Sequence, residues 1–543
     1  MSTVVQSTEA DWVSRFADEV ITEADRRAPG KPIVCASGLS PSGPIHLGNL
    51  REVTTPHLVA DEIRRRGRDC EHILSWDDYD RFRRVPAGID PSWAEHIGKP
   101  LTAVPAPPGS GHANWAEHFQ APMIASLTEL GIEYRGISQT AKYTSGAYVE
   151  QVLLAMRERR RIGAVLDQYR TKGEPVADYF PYRAYCDVCD RDLTTVTGYD
   201  EDTTNLEYRC ECGHSAVIML SEHHHGKLAW KVDWPMRWAY EGVVFEPSGV
   251  DHSSPGSSFT VGGHLVGEIF GGDQPIGPMY AFVGIRGMAK MSSSKGDVPT
   301  PGDALRIMEA PLLRWLYARR KPNQSITIAF DQEVQRVYDE WDALQRKVAG
   351  ETALPADLAA HARAVRTADG PLPATPRPLP YRTLASIVDI TTGHDEQTLR
   401  ILRELDPADP ITSLDQARPR LDRAEHWIET QVPAEQRTQL RAGPDTAVIA
   451  GLPDTEREAL RLLVDGLDGH WSLDGLTGLV YGVPKRQLGL PPDTRPTPEL
   501  KIAQRRFFVL LYQLLIGRDT GPRLPTLLLA AGADQVRSLL TVG

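Results

Sequence analysis

Residues 32–49 read PIVCASGLSPSGPIHLGN, and this stretch decides the fold. Its first six residues form a short apolar run before a glycine, which is typical of a buried parallel strand. A helical pattern extends from His46 to Arg66, and residues 70–76 have the composition of a second strand. A strand, a crossover helix and a strand predict the start of a doubly wound α/β domain of the Rossmann type.

Further along the chain, residues 121–170 have a helical pattern, and strand-like runs return at 228–233 and 279–284. A helix is predicted over 303–319, after which the pattern is almost wholly helical. We therefore expect an α/β domain that is split by a long insertion and followed by an all-α region. A proline-rich joint at 370–380 lies within that remainder.

Composition indicates a soluble globular protein of 543 residues, with 24% charged residues and a net charge of -12. No stretch approaches the roughly 20 apolar residues of a membrane span. The polar first ten residues lack the pattern of an export signal. Four of the six cysteines fall within residues 186–212, which favours a metal site in a reducing compartment over a disulfide framework. We expect a cytoplasmic protein without a membrane partner.

The turn after the first strand is a candidate phosphate site, because a helix start presents free backbone N–H groups and a positive end. His46 adds a side-chain donor, Gly48 leaves room for a flat adenine, and Asn49 supplies a neutral donor. For His46 alone, an ordinary packed histidine is the alternative. A second candidate is the loop KMSSSKG at 290–296, whose lysines could neutralise a polyphosphate as pyrophosphate leaves. The alternative there is a flexible basic loop.

In this order, the two motifs resemble the signature of class I aminoacyl-tRNA synthetases, and most closely that of the archaeal-type class I lysyl-tRNA synthetases. The resemblance covers most of the chain to about residue 340 and returns near the end. The stretches that carry it, besides the second motif, are 37–43, 46–52, 76–83, 230–238, 251–252, 282–285 and 521–525.

The resemblance implies that the protein activates L-lysine with ATP and Mg²⁺ to give lysyl-adenylate and pyrophosphate. The lysyl group would then pass to the terminal adenosine 2′-hydroxyl of tRNA(Lys), without a covalent enzyme intermediate. The implied catalytic residues are His46, Asn49, Lys290 and Lys295. The implied ATP-binding residues are Pro41, His46, Gly48, Asn49, Lys290, Met291, Ser292 and Ser293.

By the same resemblance, Glu52 holds the side-chain ammonium of lysine, with Tyr280 as its partner. A buried cation needs a carboxylate and benefits from an aromatic face, so the chemistry agrees. An exposed helix carboxylate is the alternative for Glu52, and core packing is the alternative for Trp230 and His252. The implied lysine-binding residues are Gly38, Ser40, Glu52, Trp230, His252 and Tyr280.

Two departures from the family pattern concern the active site. Ser293 stands where many relatives have a second lysine in the loop, and Lys295 is the candidate replacement. The glycine- and serine-rich segment 253–263 also differs from the expected pattern and could reshape the pocket rim.

The cysteine spacing predicts one structural zinc ion, because four thiolates satisfy its tetrahedral preference and leave no open position. The predicted ligands are Cys186, Cys189, Cys210 and Cys212, with His214 as the alternative fourth ligand. The family often has a second metal cluster. Here His112 and His118 remain, but Ala106 replaces its aspartate and Ser110 or Gly111 its cysteine. Two ligands rarely hold zinc tightly, so we predict that this second site is empty.

The predicted organisation is, in chain order, a first catalytic half, an acceptor-end insertion, a second catalytic half with the KMSSS loop, a stem-contact region and an anticodon-binding region. The expected ranges are 1–85, 86–227, 228–300, 301–365 and 366–543. The oligomeric state and the anticodon-reading residues are not determined by the sequence. Two other hypotheses stay open. One is a paralogue that adenylates lysine or a lysine analogue for another acceptor, or that serves as an inhibitor-resistant duplicate. The other is a non-catalytic tRNA-binding regulator.

Overall fold

The structure, a computed structural model, describes residues 11–169, 178–253, 256–287, 298–391 and 394–542. It divides into two compact units. The first comprises the described residues of Met1–Leu305, Ala310–Phe330 and Leu344–Pro373. The second comprises those of Arg306–Glu309, Asp331–Ala343 and Ala374–Gly543.

The strands all lie in the first unit. They are β1 (Ile33–Leu39), β2 (Cys70–Trp76), β3 (Arg135–Ser138), β4 (Tyr182–Ala184), β5 (Thr194–Tyr199), β6 (Asn205–Cys210), β7 (Ser215–Met219), β8 (Gly226–Leu228), β9 (Val243–Phe245), β10 (Ser248–Gly249), β11 (Met279–Tyr280), β12 (Val283–Ile285), β13 (Ile326–Ile328), β14 (Arg366–Thr367) and β15 (Gly370–Pro371).

The α-helices of the described chain occur in both units, and none is long and apolar enough to cross a membrane. They are α1 (Trp12–Arg27), α2 (Leu47–Arg65), α3 (Trp115–Glu129), α4 (Gln139–Thr144), α5 (Val149–Arg157), α6 (Arg159–Gln168), α7 (Trp230–Glu241), α8 (Val250–Ser253), α9 (Ser258–Glu268), α10 (Pro301–Leu305), α11 (Ala310–Ala318), α12 (Glu333–Ala349), α13 (Pro355–Val365), α14 (Tyr381–Thr391), α15 (Asp395–Leu405), α16 (Arg420–Gln431), α17 (Thr446–Gly451), α18 (Asp454–Gly466), α19 (Leu473–Gln487), α20 (Pro498–Ile516), α21 (Leu524–Ala531) and α22 (Ala533–Leu540).

A four-stranded parallel sheet in the order β3-β2-β1-β9 is the core of the first unit. β1 and β2 pair from Ile33 opposite Cys70 to Leu39 opposite Trp76, so both strands end at the same edge. α2 crosses between them and packs Leu58 against the sheet. The predicted α/β start, with two parallel strands and a crossover helix, is confirmed. In such sheets, ligands bind beyond the carboxyl ends of the strands.

Residues 228–233 do not form the predicted strand. β8 ends at Leu228, and α7 begins at Trp230 with Ala229 as its N-cap residue. The apolar run misled the prediction because a buried helix and a buried strand look alike over six residues. The helix brings Asp233 within ion-pair reach of Arg237, one turn later, which an extended strand could not do.

Two other predicted helices are interrupted. The helical pattern over 121–170 is interrupted by β3, which pairs in parallel with β2. The preceding helix stops just before Gly131, whose φ is 62°. The helix predicted over 303–319 is divided into α10 and α11. Pro311 lies at the start of α11, where a proline without a backbone N–H is tolerated.

Two small antiparallel sheets lie between β3 and α7. β5, β6 and β7 make an antiparallel sheet, and β4 pairs with β8. The second unit is helical, and its core contains a buried ionic network. There, Arg420 Nε donates to Glu309 Oε2 at 2.7 Å and Nη1 donates to Asp342 Oδ1 at 2.8 Å. The Arg420 guanidinium also lies 5.0 Å from the ring centre of Tyr338.

Candidate active site

The start of α2 carries the first motif and faces the carboxyl ends of β1 and β2. Asn49 Oδ1 accepts from the backbone N–H of His46 at 3.2 Å, and His46 Nδ1 accepts from the N–H of Gly48 at 3.1 Å. Burial lowers the pKa of His46. Because Nδ1 accepts, the neutral ring carries its hydrogen on Nε2, which is then the donor available to a ligand. Pro41 belongs to the turn before this helix.

The second motif lies outside the described residues, and so do the predicted Lys290, Met291, Ser292, Ser293 and Lys295. The described residues on both sides of the second motif are hydrogen-bonded to α2. Leu47 N–H donates to Pro299 O at 3.1 Å, and Arg51 Nη1 donates to Ala281 O at 3.0 Å. These two bonds bring the flanks of the second motif to the helix that carries the first.

A small cavity of about 220 Å³ opens beside α2. Tyr280 donates its hydroxyl to Glu52 Oε2 at 3.0 Å. Trp230 stacks on Trp234 with ring centres 5.2 Å apart, and the His252 ring lies 5.8 Å from Trp234. Of the predicted lysine-binding residues, those that line this cavity are Gly38, Ser40, Glu52, Trp230 and His252. The structure therefore brings all six together, since Tyr280 contacts Glu52.

The small cavity is acidic, and burial is the main cause of the raised pKa of three of its carboxyl groups. The pKa of Glu52 rises to about 8, that of Glu246 to about 7 and that of Asp77 to about 6. Glu246 accepts the indole N–H groups of Trp234 at 3.0 Å and Trp238 at 2.6 Å. A cation entering the cavity would ionise these groups and gain their charge.

A larger cavity of about 1290 Å³ adjoins the small one and is lined by His46 at the start of α2. Four residues line both cavities: Ser40, Asp77, Trp230 and His252. The basic side chains that line the larger cavity are Arg81, Arg83, Arg84, Arg183 and Lys227. Aromatic side chains, including Phe180 and Tyr182, line it as well. Four aspartates, Asp77, Asp80, Asp192 and Asp251, line it too, so its charge is mixed. The basic groups suit phosphates, and the aromatic faces suit flat rings.

The four predicted zinc-binding cysteines are close together, with all four Sγ atoms within 4.8 Å of one another. Cys186 Sγ and Cys212 Sγ are 3.8 Å apart, and Cys189 Sγ and Cys210 Sγ are 3.5 Å apart. A tetrahedron of thiolates about 2.3 Å from zinc has edges of about 3.8 Å, so these cysteines fit the ion. His214 is not a member of this group. Its ring lies against Tyr208, with centres 6.1 Å apart.

The two histidines of the proposed lost site are near each other but bonded differently. Their ring centres are 6.1 Å apart, and His118 Nδ1 is 2.9 Å from Ser110 Oγ. That bond uses one of the two ring nitrogens of His118, so an empty second metal site stays a prediction.

Three side chains around the small cavity were assigned no role from the sequence. Asp77 follows the last residue of β2, Glu246 follows the last residue of β9, and Arg237 lies on α7. A charged residue directly after a parallel strand indicates a possible ligand-binding position, and this signal could have identified Asp77 and Glu246. Arg237 has no such signal, because it lies in the middle of α7 and its partners are distant in sequence or one helical turn away.

Comparison with known proteins gives consistent relatives over the whole chain. A family model described as tRNA synthetases class I (K) matches residues 10–370. A lysine–tRNA ligase of Streptomyces coelicolor is 67% identical, over 99% of this chain and 100% of that protein. Lysine–tRNA ligases of Pyrococcus horikoshii and Treponema pallidum are 32% and 31% identical, over 95% and 98% of this chain and 96% and 98% of theirs.

Proposed function

This chain belongs to the class I lysyl-tRNA synthetases, and from that premise we propose that its two joined cavities activate L-lysine with ATP and transfer it to tRNA(Lys). The observation that carries the proposal is the Glu52–Tyr280 pair in an acidic cavity that opens toward His46. The small cavity takes the lysine side chain. The larger cavity takes ATP and then the acceptor end of the tRNA.

In the first step, a carboxylate oxygen of lysine attacks the α-phosphorus of ATP, and pyrophosphate leaves. Glu52 binds the side-chain ammonium, and the Tyr280 hydroxyl fixes the orientation of its carboxylate. His46 Nε2–H and the N–H groups at the start of α2 donate to phosphate oxygens, which gain charge in the transition state. Lys290 and Lys295 are proposed to neutralise the departing pyrophosphate. Mg²⁺ supplied with ATP would neutralise part of the phosphate charge.

In the second step, the terminal adenosine 2′-hydroxyl attacks the lysyl carbonyl, and AMP leaves. The basic and aromatic side chains of the larger cavity, such as Arg83 and Phe180, suit the phosphates and bases of an acceptor strand. The helical second unit is the proposed contact for the anticodon. Both steps depend on positioning and charge rather than on a covalent intermediate.

We propose that Cys186, Cys189, Cys210 and Cys212 hold one structural zinc ion. The role of the ion would be structural, because four protein ligands leave no position for a substrate. It would link the chain segments that carry the cysteines. Two ligands come from the turn after β4, a third is the last residue of β6, and the fourth lies in the turn between β6 and β7. The site therefore joins two parts of the insertion beside the larger cavity.

Amino-acid-dependent ATP–pyrophosphate exchange, run with each standard amino acid, tests the proposal. Exchange with lysine, followed by charging of tRNA(Lys), is the expected result. Exchange without charging would favour the paralogue with another acceptor, and no exchange at all would favour the non-catalytic regulator. Exchange with glutamate is not expected, because the carboxyl groups that line the small cavity would not stabilise a second buried carboxylate.

A further inference from the structure

Arg51 is a buried residue of α2 that directly precedes Glu52. Its guanidinium donates to three backbone carbonyl oxygens. Nη1 donates to Ala281 O at 3.0 Å and to Gln324 O at 2.7 Å, and Nη2 donates to Lys321 O at 2.8 Å. Three segments of the first unit therefore meet at one cation, namely α2, the chain after β11 and the turn before β13.

The partners of Arg51 are unusual for a buried cation. Within the part of the chain that the structure describes, the hydrogen bonds of its side chain go to backbone carbonyls and not to carboxylates. Burial lowers the pKa of Arg51 to about 10, because taking a guanidinium out of water without a carboxylate costs free energy. The carbonyl bonds offset this cost only while all three segments stay in place, so the arginine and the segments fix one another.

The strand that carries Tyr280 is short and depends on its neighbours. β11 has two residues and pairs with β10, where an added Cβ on Gly249 would lie 3.3 Å from the tyrosine hydroxyl oxygen. Ala281 follows directly. Its N–H donates to Pro322 O at 2.8 Å, and its carbonyl accepts from Arg51. The place of the Tyr280 hydroxyl is therefore set by the ring's seat on Gly249 and by where Ala281 is fixed.

We propose that Arg51 is a positioning residue for lysine recognition, which acts by holding Tyr280 against Glu52. This inference rests on the proposed function. Two neighbouring residues of α2 contact two neighbouring residues of the other segment, because Glu52 accepts from Tyr280 while Arg51 binds Ala281. Together the two contacts fix the distance and the orientation of the hydroxyl at the ammonium-binding carboxylate. Arg51 lines neither cavity and acts through Tyr280 alone.

The test is a double-mutant cycle on the affinity for L-lysine, measured by calorimetric binding to the full-length protein. Tyr280→Phe removes only the hydroxyl and should weaken binding at least about tenfold, the usual worth of a hydrogen bond to a charged group. Arg51→Lys should weaken it about fivefold to tenfold, because one ammonium nitrogen cannot serve three carbonyls placed for a planar guanidinium. In the double variant, Arg51→Lys should add less than about twofold, since no hydroxyl is left to position.

Arg314→Lys is the matched control. Arg314 is also buried in the first unit, and burial lowers its pKa to about 10 as well. It donates to Leu130 O at 2.8 Å and to Arg363 O at 2.9 Å. The control variant should lose stability in thermal melting as Arg51→Lys does, while its lysine affinity changes less than about twofold with or without the Tyr280 hydroxyl. A purely structural role for Arg51 predicts the same result for both arginines.

Three results would overturn the inference. The first is an unchanged lysine affinity in Tyr280→Phe, a result that does not require any Arg51 variant to fold. The second is an effect of Arg51→Lys that is absent, or that is equally large with and without the hydroxyl. The third is a matching loss of affinity in Arg314→Lys. If Arg51→Lys does not fold, Arg51→Gln, which keeps one donor group, takes its place in the cycle. Absence of lysine binding by the wild-type protein would instead remove the proposed function itself.

Discussion

Replacing Glu52 by glutamine should weaken lysine binding by an amount that depends strongly on pH. Glutamine preserves the size of the side chain and removes its charge. Breaking a buried charge pair costs about 2–5 kcal/mol. At pH 7, the wild-type protein must first ionise a carboxyl group whose pKa is about 8, which costs about 1.4 kcal/mol. The expected net loss at pH 7 is therefore about 0.6–3.6 kcal/mol, or about threefold to 400-fold in affinity.

The pH dependence follows from the direction of the shift. A carboxyl group with a raised pKa keeps its proton over most of the neutral range, and lysine needs the ionised form. About 1% of Glu52 is ionised at pH 6 and about half at pH 8, so lysine affinity should rise about fiftyfold between them. In Glu52→Gln the rise should be no more than about tenfold, because Glu246, with a pKa of about 7, and Asp77, with a pKa of about 6, still ionise over this range.

Calorimetric titration with lysine from pH 6 to pH 8 measures this, with the KM for ATP in pyrophosphate exchange measured alongside. Glu241→Gln is the matched control. It lines the same cavity, but its carboxylate is already paired with Arg135 at 3.2 Å and Lys142 at 3.0 Å, so the steep pH dependence should persist. Equal pH slopes in wild type and Glu52→Gln, or equal losses for lysine and ATP, would refute the assignment of the ammonium to Glu52.

Three further predictions concern other parts of the chain. Lys290→Ala should lower the rate of pyrophosphate exchange by about 100-fold while the Kd for lysine changes less than about twofold, and an unchanged rate would remove its role. Metal analysis should find one zinc ion per chain, which Cys212→Ser loses and His214→Ala keeps. Two zinc ions per chain, or loss of zinc in His214→Ala but not in Cys212→Ser, would contradict the ligand assignment. Glu309→Ala should destabilise the second unit by about 3 kcal/mol in denaturant titration, because buried Arg420 loses one of its two carboxylates, and a change below about 1 kcal/mol would show that the network adds little.

The sequence was sufficient to predict the parts of the site that follow directly from the first strand. A strand, a glycine-bearing turn and a helix specify one local geometry, so the positions of His46, Asn49 and Glu52 on α2 could be expected. Tyr280 is more than 200 residues away, and only the family resemblance connected it with Glu52. The structure gives that connection a distance of 3.0 Å.

The network around Arg237 could not be predicted, for a physical reason. Its members come from the segment just after β2, from β8 and from α7. They are Asp77, Asp80, Lys227, Asp233 and Arg237. Neither hydrophobic periodicity nor spacing indicates which buried charges will meet. The apolar run at 228–233 predicts a strand, and a strand ending at Asp233 gives no reason to expect the pairing of Asp233 with Arg237 one helical turn later. Helix formation there depends on packing of Trp234 and Trp238 against the central sheet, a tertiary effect.

The central claim is that the acidic cavity selects lysine by the charge of its side chain. The most direct measurement is ATP–pyrophosphate exchange with lysine and with norleucine, which lacks only the terminal ammonium. The account predicts rapid exchange with lysine and an exchange rate at least 100-fold lower with norleucine. With norleucine, Glu52 would stay buried without a cationic partner. Comparable exchange with the two amino acids would contradict it.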